Sequence, residues 1–168
     1  MQISPMPVDE DARLLSLHSL QVLDTKPEER FDRLTKEVVE WFSVPICTIS
    51  IIDRDREWFK SCQGLPTKEG KREISFCGHA MLSKYIFIVE DTKLDPRFSD
   101  NPYVVGPPFV RFYAGMALRN RKDGQPIGVL CIKDTKPRTM SAQDIALFIG
   151  FANRAEEELN SPYKIEKA

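Results

Sequence analysis

The sequence contains no long apolar run and no excess of charge of one sign. Its 168 residues include 24 lysines and arginines against 25 aspartates and glutamates. This balance argues against a general nucleic-acid-binding protein, which would carry a basic excess or stripe. No apolar stretch approaches the length that crosses a bilayer, and residues 1–5 have neither the basic nor the apolar segment of a secretory signal. We therefore expect a cytoplasmic protein that binds neither nucleic acid nor membrane.

Sequence motifs of the common catalytic classes are also absent. There is no Gly-x-x-x-x-Gly-Lys phosphate loop, no Gly-x-Ser-x-Gly elbow and no His-Glu-x-x-His pair. The four cysteines form no C-x-x-C pair and the chain has two histidines, so no metal site is predicted. Cys47, Cys62 and Cys131 lie in strand-like apolar runs, where reduced cysteine behaves as a small hydrophobic residue.

Three amphipathic segments predict helices. Acidic residues open the first, over residues 9–23. Thr25 and Glu28 have the spacing of a capping box at the start of the second helix. Ser141 opens a long helix through Leu159, whose apolar positions spread too widely for one stripe. This last helix is expected to contact the sheet on one side and another surface on the other.

Runs rich in β-branched and aromatic residues predict the strands. An antiparallel pair is expected over residues 46–52 and 57–62, and a short strand over residues 86–89. Strands 110–118 and 127–133 are joined through Asp-Gly, a strong hairpin signal.

The segments between these strands are predicted to be largely irregular. A polar loop is expected over residues 63–71 and a short helix over residues 77–84. Residues 92–109 contain four prolines and little periodicity, and loops of that length in compact domains are usually functional or mobile.

This order of elements predicts an α+β domain. We expect a central antiparallel sheet of about six strands, with the N- and C-terminal helices on one face. A lid of loop and short helix, with a pocket beneath it, covers the other face. A single domain over residues 1–168 is expected, with its core over about 10–160. Asn160, Ser161 and Pro162 predict that the last helix stops there, which favours a complete chain.

Three patterns in sequence order carry a family resemblance. They are Ser75-Phe76-Cys77-Gly78-His79-Ala80, then Asp95-Pro96-Arg97-Phe98 with Asn101-Pro102, then Arg111-Phe112-Tyr113-Ala114-Gly115 leading into residues 127–132. In order and spacing they resemble the GAF domain family, in a bacterial type often attached to signalling enzymes. The resemblance implies a GAF/PAS-like fold, a homodimer through the terminal helices, and a small-molecule ligand beneath the lid.

Candidate ligand-binding residues follow from the patterns and the resemblance. They are Trp58, Cys77, His79, Asp95, Phe98, Arg111 and Tyr113. Arg111, Tyr113 and Gly115 alternate along one strand and are expected on one face, where the glycine leaves space for a ligand or another backbone.

The arginines and aromatic residues of this set have structural alternatives. Arg97 and Arg111 are able to bind an anionic group bidentately. Alternatively, Arg97 pairs with Asp91 or Asp95 and fixes the loop. Trp58, Phe59 and Phe98 are predicted as aromatic walls of the pocket or, alternatively, as core aromatic residues.

Cys77 is the residue on which alternative functions depend. At the start of a helix its pKa would be lowered, but His79 lies two positions on and does not share its helix face. An unreactive Cys77 lining the pocket wall is therefore the favoured interpretation. Bilin-binding GAF relatives have a cysteine followed directly by histidine, whereas Gly78 intervenes here. The methionine-sulfoxide-reducing GAF enzymes need two cysteines close together, with Cys77 the first candidate.

We expect a non-catalytic sensory or regulatory domain of intracellular signal transduction. It would bind an unidentified small molecule, with no cofactor or metal predicted, and act through a change in a homodimer or on a signalling partner. The motif of cyclic-nucleotide-binding GAF domains is absent. The alternatives are the reductase, the bilin photosensor, and an interaction module whose pocket is filled by its own side chains.

Overall fold

The computed structural model describes residues 1–161. Pro162 of the predicted helix stop lies outside this range, as do residues 163–168 of the predicted domain. The helices and strands, in chain order, are α1 (Glu10–Ser19), α2 (Glu29–Phe42), β1 (Ile46–Ile52), β2 (Arg56–Gln63), β3 (Glu69–Lys71), α3 (Phe76–Ala80), β4 (Phe87–Val89), α4 (Pro102–Val105), β5 (Phe112–Arg119), β6 (Pro126–Asp134) and α5 (Ala142–Asn160). Single 3₁₀ turns at Arg72–Ile74 and Thr92–Leu94 precede α3 and α4.

The strands form one six-stranded antiparallel sheet in the order β3-β2-β1-β6-β5-β4. This confirms the predicted sheet and the hairpin of β5 and β6. Edge strand β3 was not predicted, because Glu69, Gly70 and Lys71 carry no apolar alternation. Pairing of these residues with β2 defines this strand, and residues 63–71 are therefore not purely loop.

Each face of the sheet has its own hydrophobic core. The helix-side core joins α1, α2 and α5 to the sheet, and the lid-side core joins α3 and the residues around α4 to the opposite face. Alternation along β1 shows the division, since Ile49 and Ile51 belong to the helix-side core while Ile52 belongs to the lid-side core. The α+β fold with helices on one face and a lid on the other is confirmed.

Of the two predicted helix caps, the one at Ser141 is confirmed and the one at Thr25 is wrong. Ser141 forms a capping box with Asp144 at the start of α5. The box predicted for Thr25 and Glu28 is wrong. The Thr25 hydroxyl instead donates to the Val22 carbonyl at 2.6 Å, and the Glu28 carboxylate makes no capping bond, because it forms an ion pair with Lys60 at 2.8 Å.

The lid is more ordered than predicted. The short helix ends at Ala80 instead of residue 84, and the Ser75 hydroxyl caps it by accepting from Gly78 N at 2.8 Å. Within the expected loop 92–109, the Asn101 side chain accepts from Tyr103 N at 2.9 Å and donates to the Ile74 carbonyl at 3.0 Å. These bonds join α4 to the segment before α3, so the lid is a single packed unit.

Candidate functional site

Polar side chains line the lid-facing side of the central strands. Because paired residues share a face, the register Thr48↔Cys131 and Tyr113↔Lys133 places these four on one side of the sheet. Tyr113 and Cys131 belong to the lid-side core, which identifies that side as the one beneath the lid. Glu57 pairs with Ile52 of the same core, so it also faces the lid, at the opposite end of β1 from Lys133, which pairs with Ile46.

The centre of this surface is a chain of buried hydroxyls and thiols. The Tyr113 hydroxyl donates to Cys77 Sγ at 3.1 Å, and the Cys77 thiol donates to Ser50 Oγ at 3.6 Å. Ser50 Oγ lies 2.7 Å from Thr48 Oγ1, which lies 3.0 Å from Cys131 Sγ. Every group in this chain has a partner, so the centre of the lid-side core is satisfied by the protein's own atoms.

Aromatic rings fill the neighbouring space under α3. Phe76 stacks on Phe98 with ring centroids 4.4 Å apart and on Tyr113 at 5.2 Å, while His79 meets the edge of Phe98 at 4.8 Å. A Cβ on Gly115 would overlap the Tyr113 side chain. The space expected for a ligand at this glycine is therefore occupied by the Tyr113 ring.

Two charged residues of the same face lack ion-pair partners. Lys133 is 5% exposed and Glu57 is 2% exposed. Within residues 1–161, no carboxylate lies within 4.0 Å of Lys133 Nζ, and no hydrogen bond from this atom is formed. Glu57 accepts one long bond from Ser75 Oγ at 3.4 Å. Burial alone lowers the pKa of Lys133, but nearby Cys131 and Glu57 outweigh it and raise the pKa above its ordinary value.

Lys60 shows what a satisfied buried lysine looks like in this protein. Its side chain is 1% exposed on the helix side of the sheet. Its Nζ donates to Thr25 Oγ1 and to the Lys26 carbonyl, each at 2.7 Å, and pairs with Glu28 at 2.8 Å. Among the described residues, the fully enclosed side-chain atoms without a partner are Ser4 Oγ and Arg72 Nε, so the charged ends of Lys133 and Glu57 keep some accessible surface together with unused hydrogen-bonding capacity.

The structure brings together four of the seven predicted site residues. Cys77, Phe98 and Tyr113 are fully buried in the lid-side core, and His79 packs against it. Trp58 lies in the helix-side core on the opposite face of the sheet, so it does not line this site. Its partner across the strands is Ile51, which also faces the helices.

The other two predicted residues form ion pairs in the outer part of the lid. Asp95 holds Arg97 with an oxygen–nitrogen distance of 2.7 Å, which is the structural alternative considered for this arginine. Arg111 lies before β5 and pairs with Asp91 at 3.0 Å, instead of sharing the sheet floor with Tyr113. Both guanidinium groups are therefore used in ion pairs of the lid and are not free to bind a ligand at the buried polar surface.

The thiols differ in acidity. Burial raises the pKa of Cys77 well above its ordinary value, so the lowering expected at a helix start is wrong. Burial also opposes ionisation of Cys131, but the neighbouring Cys77 thiol and the charge of Lys133 outweigh it and lower the pKa of Cys131 to about 7. Burial lowers the pKa of His79, which favours its neutral form.

Sequence reasoning missed Glu57, Lys133, Thr48 and Ser50 as site residues. The available signal was a charged residue inside or at the end of an otherwise apolar strand run, as at Lys133. Within residues 1–161 there is no group of three or more potential metal-binding side chains. No helix in that range has the length and apolar character needed to cross a membrane.

Comparison with known proteins identifies the family. The family model of the GAF domain matches residues 26–159. A cyclic di-GMP phosphodiesterase of Pseudomonas aeruginosa is 40% identical over 153 residues, which cover 90% of this chain but only 26% of that protein. This chain therefore spans about a quarter of the length of that relative.

Two solved structures show the same fold. The GAF domain of an Acinetobacter phosphoenolpyruvate-protein phosphotransferase superposes with a TM-score of 0.63 at 16% identity, covering 88% of this chain and 92% of that one. A type II free methionine-R-sulfoxide reductase from Thermoplasma acidophilum gives 0.64 at 15% identity, covering 86% and 94%. The matched family model and the shared fold establish that this chain belongs to the GAF family.

Proposed function

We propose that this GAF domain is a non-catalytic regulatory domain that binds a small polar molecule beneath its lid. The observation that carries the proposal is the pair of buried, oppositely charged side chains, Lys133 and Glu57, that do not pair with each other. Lys133 Nζ forms no hydrogen bond within residues 1–161, and Glu57 accepts only a long bond from Ser75 Oγ, so both groups keep unused hydrogen-bonding capacity. A bound molecule that contacts both groups would use that capacity.

The chemistry of the two side chains defines the ligand class. Lys133 offers only hydrogen-bond donors and a positive charge, whereas ionised Glu57 offers only acceptors. A molecule with an anionic group at one end and a hydrogen-bond donor or cationic group at the other satisfies both. The aromatic and thiol side chains fill the space toward β5, so the ligand must be narrow. Ile46 opposite Lys133 and Ile52 opposite Glu57 lie roughly 20 Å apart along β1 at about 3.3 Å per residue, so a ligand that contacts both side chains must also be elongated.

Half-buried Tyr103, on α4, marks the side from which such a ligand enters. Its ring packs against the lid-side core, and its hydroxyl lies near Gly70 on edge strand β3. Burial raises the pKa of the Tyr103 hydroxyl, and the charges of Glu57 and Lys133 act on it in opposite directions. Movement of α4 relative to β3 would therefore open a path from solvent to the two charges.

An ion pair and hydrogen bonds connect the base of the lid to the helix layer, and we propose that the signal passes through these contacts. Arg72, in the turn before α3, pairs with Glu10 of α1. Arg72 also donates to the carbonyls of Asp53 and Arg54, at 3.1 and 3.3 Å. Ligand binding would favour one lid position and thereby one packing of α1, a population shift between two arrangements.

We propose that α1 and α5 pass this change to a second copy of the domain or to a signalling partner in the cytoplasm. The Pseudomonas aeruginosa relative is much longer than this chain, so a GAF segment of this kind occurs there beside other sequence. If the domain dimerises through α1 and α5, light scattering should give the mass of a dimer, and a charged substitution at exposed Leu15 of α1 should give the mass of a monomer.

A thermal-shift screen tests the binding proposal. The probes are amino acids, dicarboxylates, sugar phosphates and nucleotides, each added to wild type, Lys133→Met, Glu57→Gln and Lys36→Met. Lys36 is exposed on α2 and serves as a control for loss of one positive charge. At least one probe should raise the melting temperature of wild type and Lys36→Met but not of Lys133→Met. Equal shifts in all four proteins would refute binding at this site.

A further inference from the structure

We propose that the groove between the N-terminal segment and the turn before α3 binds a small monocarboxylate with an apolar chain, through Arg72 and Ser4. The groove has a volume of about 610 Å³ and is lined by residues 3–6, 54–55 and 71–73. That volume is sufficient for a small organic acid. Neither Lys133 nor Glu57 lines this groove, so the inference does not rest on ligand binding beneath the lid.

Positive charge exceeds negative charge in the buried ion-pair cluster beside this groove. The side chains of Arg13 and Arg72 are 0% and 4% exposed, and both pair with the single carboxylate of Glu10. In the part of the chain that the structure describes, neither arginine has another carboxylate within 4.0 Å. One of the two buried positive charges is therefore not balanced by an ion pair. A second carboxylate beside Arg72 would balance it.

Two polar atoms of the residues that line the groove have no hydrogen-bond partner. Among residues 1–161 the enclosed atoms of this kind are Arg72 Nε and Ser4 Oγ. The other nitrogen atoms of the Arg72 guanidinium are in use, since Nη1 and Nη2 bind Glu10 and Nη1 also donates to the carbonyls of Asp53 and Arg54. A guanidinium N–H and a hydroxyl both donate, so together they fit the oxygens of one carboxylate.

The charged rim of the groove favours a singly charged ligand. Arg54 and Lys71 are exposed at this rim, and so are the carboxylates of Asp55 and Glu73. Within the described range, none of these four side chains forms an ion pair. Two positive and two negative charges cancel, so a multiply charged anion such as phosphate gains little attraction from the rim. A monocarboxylate supplies the one negative charge that the buried cluster lacks.

The N-terminal segment forms the apolar wall of the groove, and it is weakly held. Ile3 and Met6 are 59% and 56% exposed, so a hydrocarbon chain in the groove would cover apolar surface that now faces solvent. Ser4 N donates to the Glu73 carbonyl at 2.9 Å, but residues 5–8 form no hydrogen bond within residues 1–161. Because Arg72 Nε and Ser4 Oγ are enclosed, the carboxylate reaches them when this segment shifts.

A titration followed by the backbone amide signals in NMR tests the site. The probe is sodium 4-methylpentanoate, compared at constant ionic strength with the uncharged 4-methylpentan-1-ol and with inorganic phosphate. The proteins are wild type, Ser4→Ala, Lys133→Met and Thr67→Val. Thr67 is the matched control for loss of a hydroxyl, because it is exposed and its side chain forms no hydrogen bond in the described part of the chain.

In wild type, Thr67→Val and Lys133→Met, 4-methylpentanoate should shift the amide signals of Ser4, Lys71 and Arg72 to saturation. Ser4→Ala should bind it about tenfold more weakly, because a hydrogen bond to the charged group is lost. The alcohol should give no saturable shift, and phosphate should bind more weakly than the carboxylate.

Four results would overturn the proposal. They are the absence of saturable shifts in wild type, equal affinity of wild type and Ser4→Ala, saturation by the alcohol, and tighter binding of phosphate. Loss of binding in Lys133→Met with Ser4→Ala unaffected would place the carboxylate beneath the lid and would also overturn it. The wild-type titration decides the matter even if a variant fails to fold.

Discussion

Tyr113 lies across the backbone of Gly115, and its hydroxyl donates a hydrogen bond to Cys77 Sγ at 3.1 Å. This contact fills the part of the lid side where a glycine on the strand suggested room for a ligand. The lid side of this GAF domain is therefore divided. A packed aromatic and thiol region lies over β5, while the charged residues Lys133 of β6 and Glu57 of β2 lie opposite Ile46 and Ile52, at the two ends of β1.

Gly115→Ala should destabilise the protein by about 1–3 kcal/mol, because the new methyl group would overlap the Tyr113 ring in a packed core. Chemical denaturation measures the loss. In a Tyr113→Leu background the same change should cost much less, since the ring is gone. An identical cost in both backgrounds would show that the Tyr113–Gly115 contact is not its cause.

The two buried lysines should respond differently to substitution by methionine. Lys60→Met removes three contacts and leaves Glu28 without its lysine partner, so we expect a loss of about 2–4 kcal/mol in unfolding free energy. Lys133→Met removes a charge that has no ion-pair partner, and stability should change by less than about 1 kcal/mol or increase. Equal losses at the two positions would mean that Lys133 is satisfied in the ligand-free protein.

Acid should weaken the contact between α1 and the lid. Burial raises the pKa of Glu10, but hydrogen bonds from Arg13 and Arg72 outweigh it and lower the pKa to about 2. A carboxylate with a lowered pKa contributes stability above its unfolded pKa, near 4.5, and loses it as the pH falls toward 2.

Glu10→Gln should therefore lower the unfolding free energy at pH 7 by about 1–2 kcal/mol, less than full linkage because the group is partly solvated. The difference from wild type should vanish near pH 2 in denaturation curves. Asp24→Asn removes an exposed partner of Arg56 and should change stability little at either pH. A Glu10→Gln effect that does not depend on pH would contradict the ion-pair account.

The N-terminal segment packs closely against α3 because Gly78 has no side chain. Ser4 N donates to the Glu73 carbonyl at 2.9 Å and Gln2 N to the Arg97 carbonyl at 3.1 Å. A Cβ on Gly78 would overlap Ser4 Oγ, so Gly78→Ala should release this segment. Amide exchange at Gln2 and Ser4 should become faster, and Ser4→Gly in the same chain should restore protection. Unchanged exchange in Gly78→Ala would contradict this role of the glycine.

Features that depend on local sequence were predictable. The Asp123-Gly124 turn predicted the hairpin, and Ser141 with Asp144 formed the expected cap, because each depends on residues close in the chain. The Thr25–Glu28 cap failed because Lys60, distant in sequence, binds the glutamate. The same local reasoning could not detect β3, which exists through its pairing with β2.

The binding surface itself could not be predicted from one sequence. Which face of the sheet Glu57 occupies depends on the register of β2 against β1, and this register shifts between Ile49 and Ser50. A one-residue difference in that shift would move Glu57 to the helix side. The contact of Tyr113 with Gly115 likewise depends on a side-chain orientation that strand alternation does not specify.

The most direct test of the central claim is mass spectrometry of small molecules released by acid from protein purified without denaturation. Lys133→Met and the control Lys36→Met are purified in parallel with wild type. We predict a small compound with a carboxylate or phosphate group that accompanies wild type and Lys36→Met but not Lys133→Met. The same compounds in all three extracts, or none in any together with no effect of the thermal-shift probes, would contradict a ligand at Lys133.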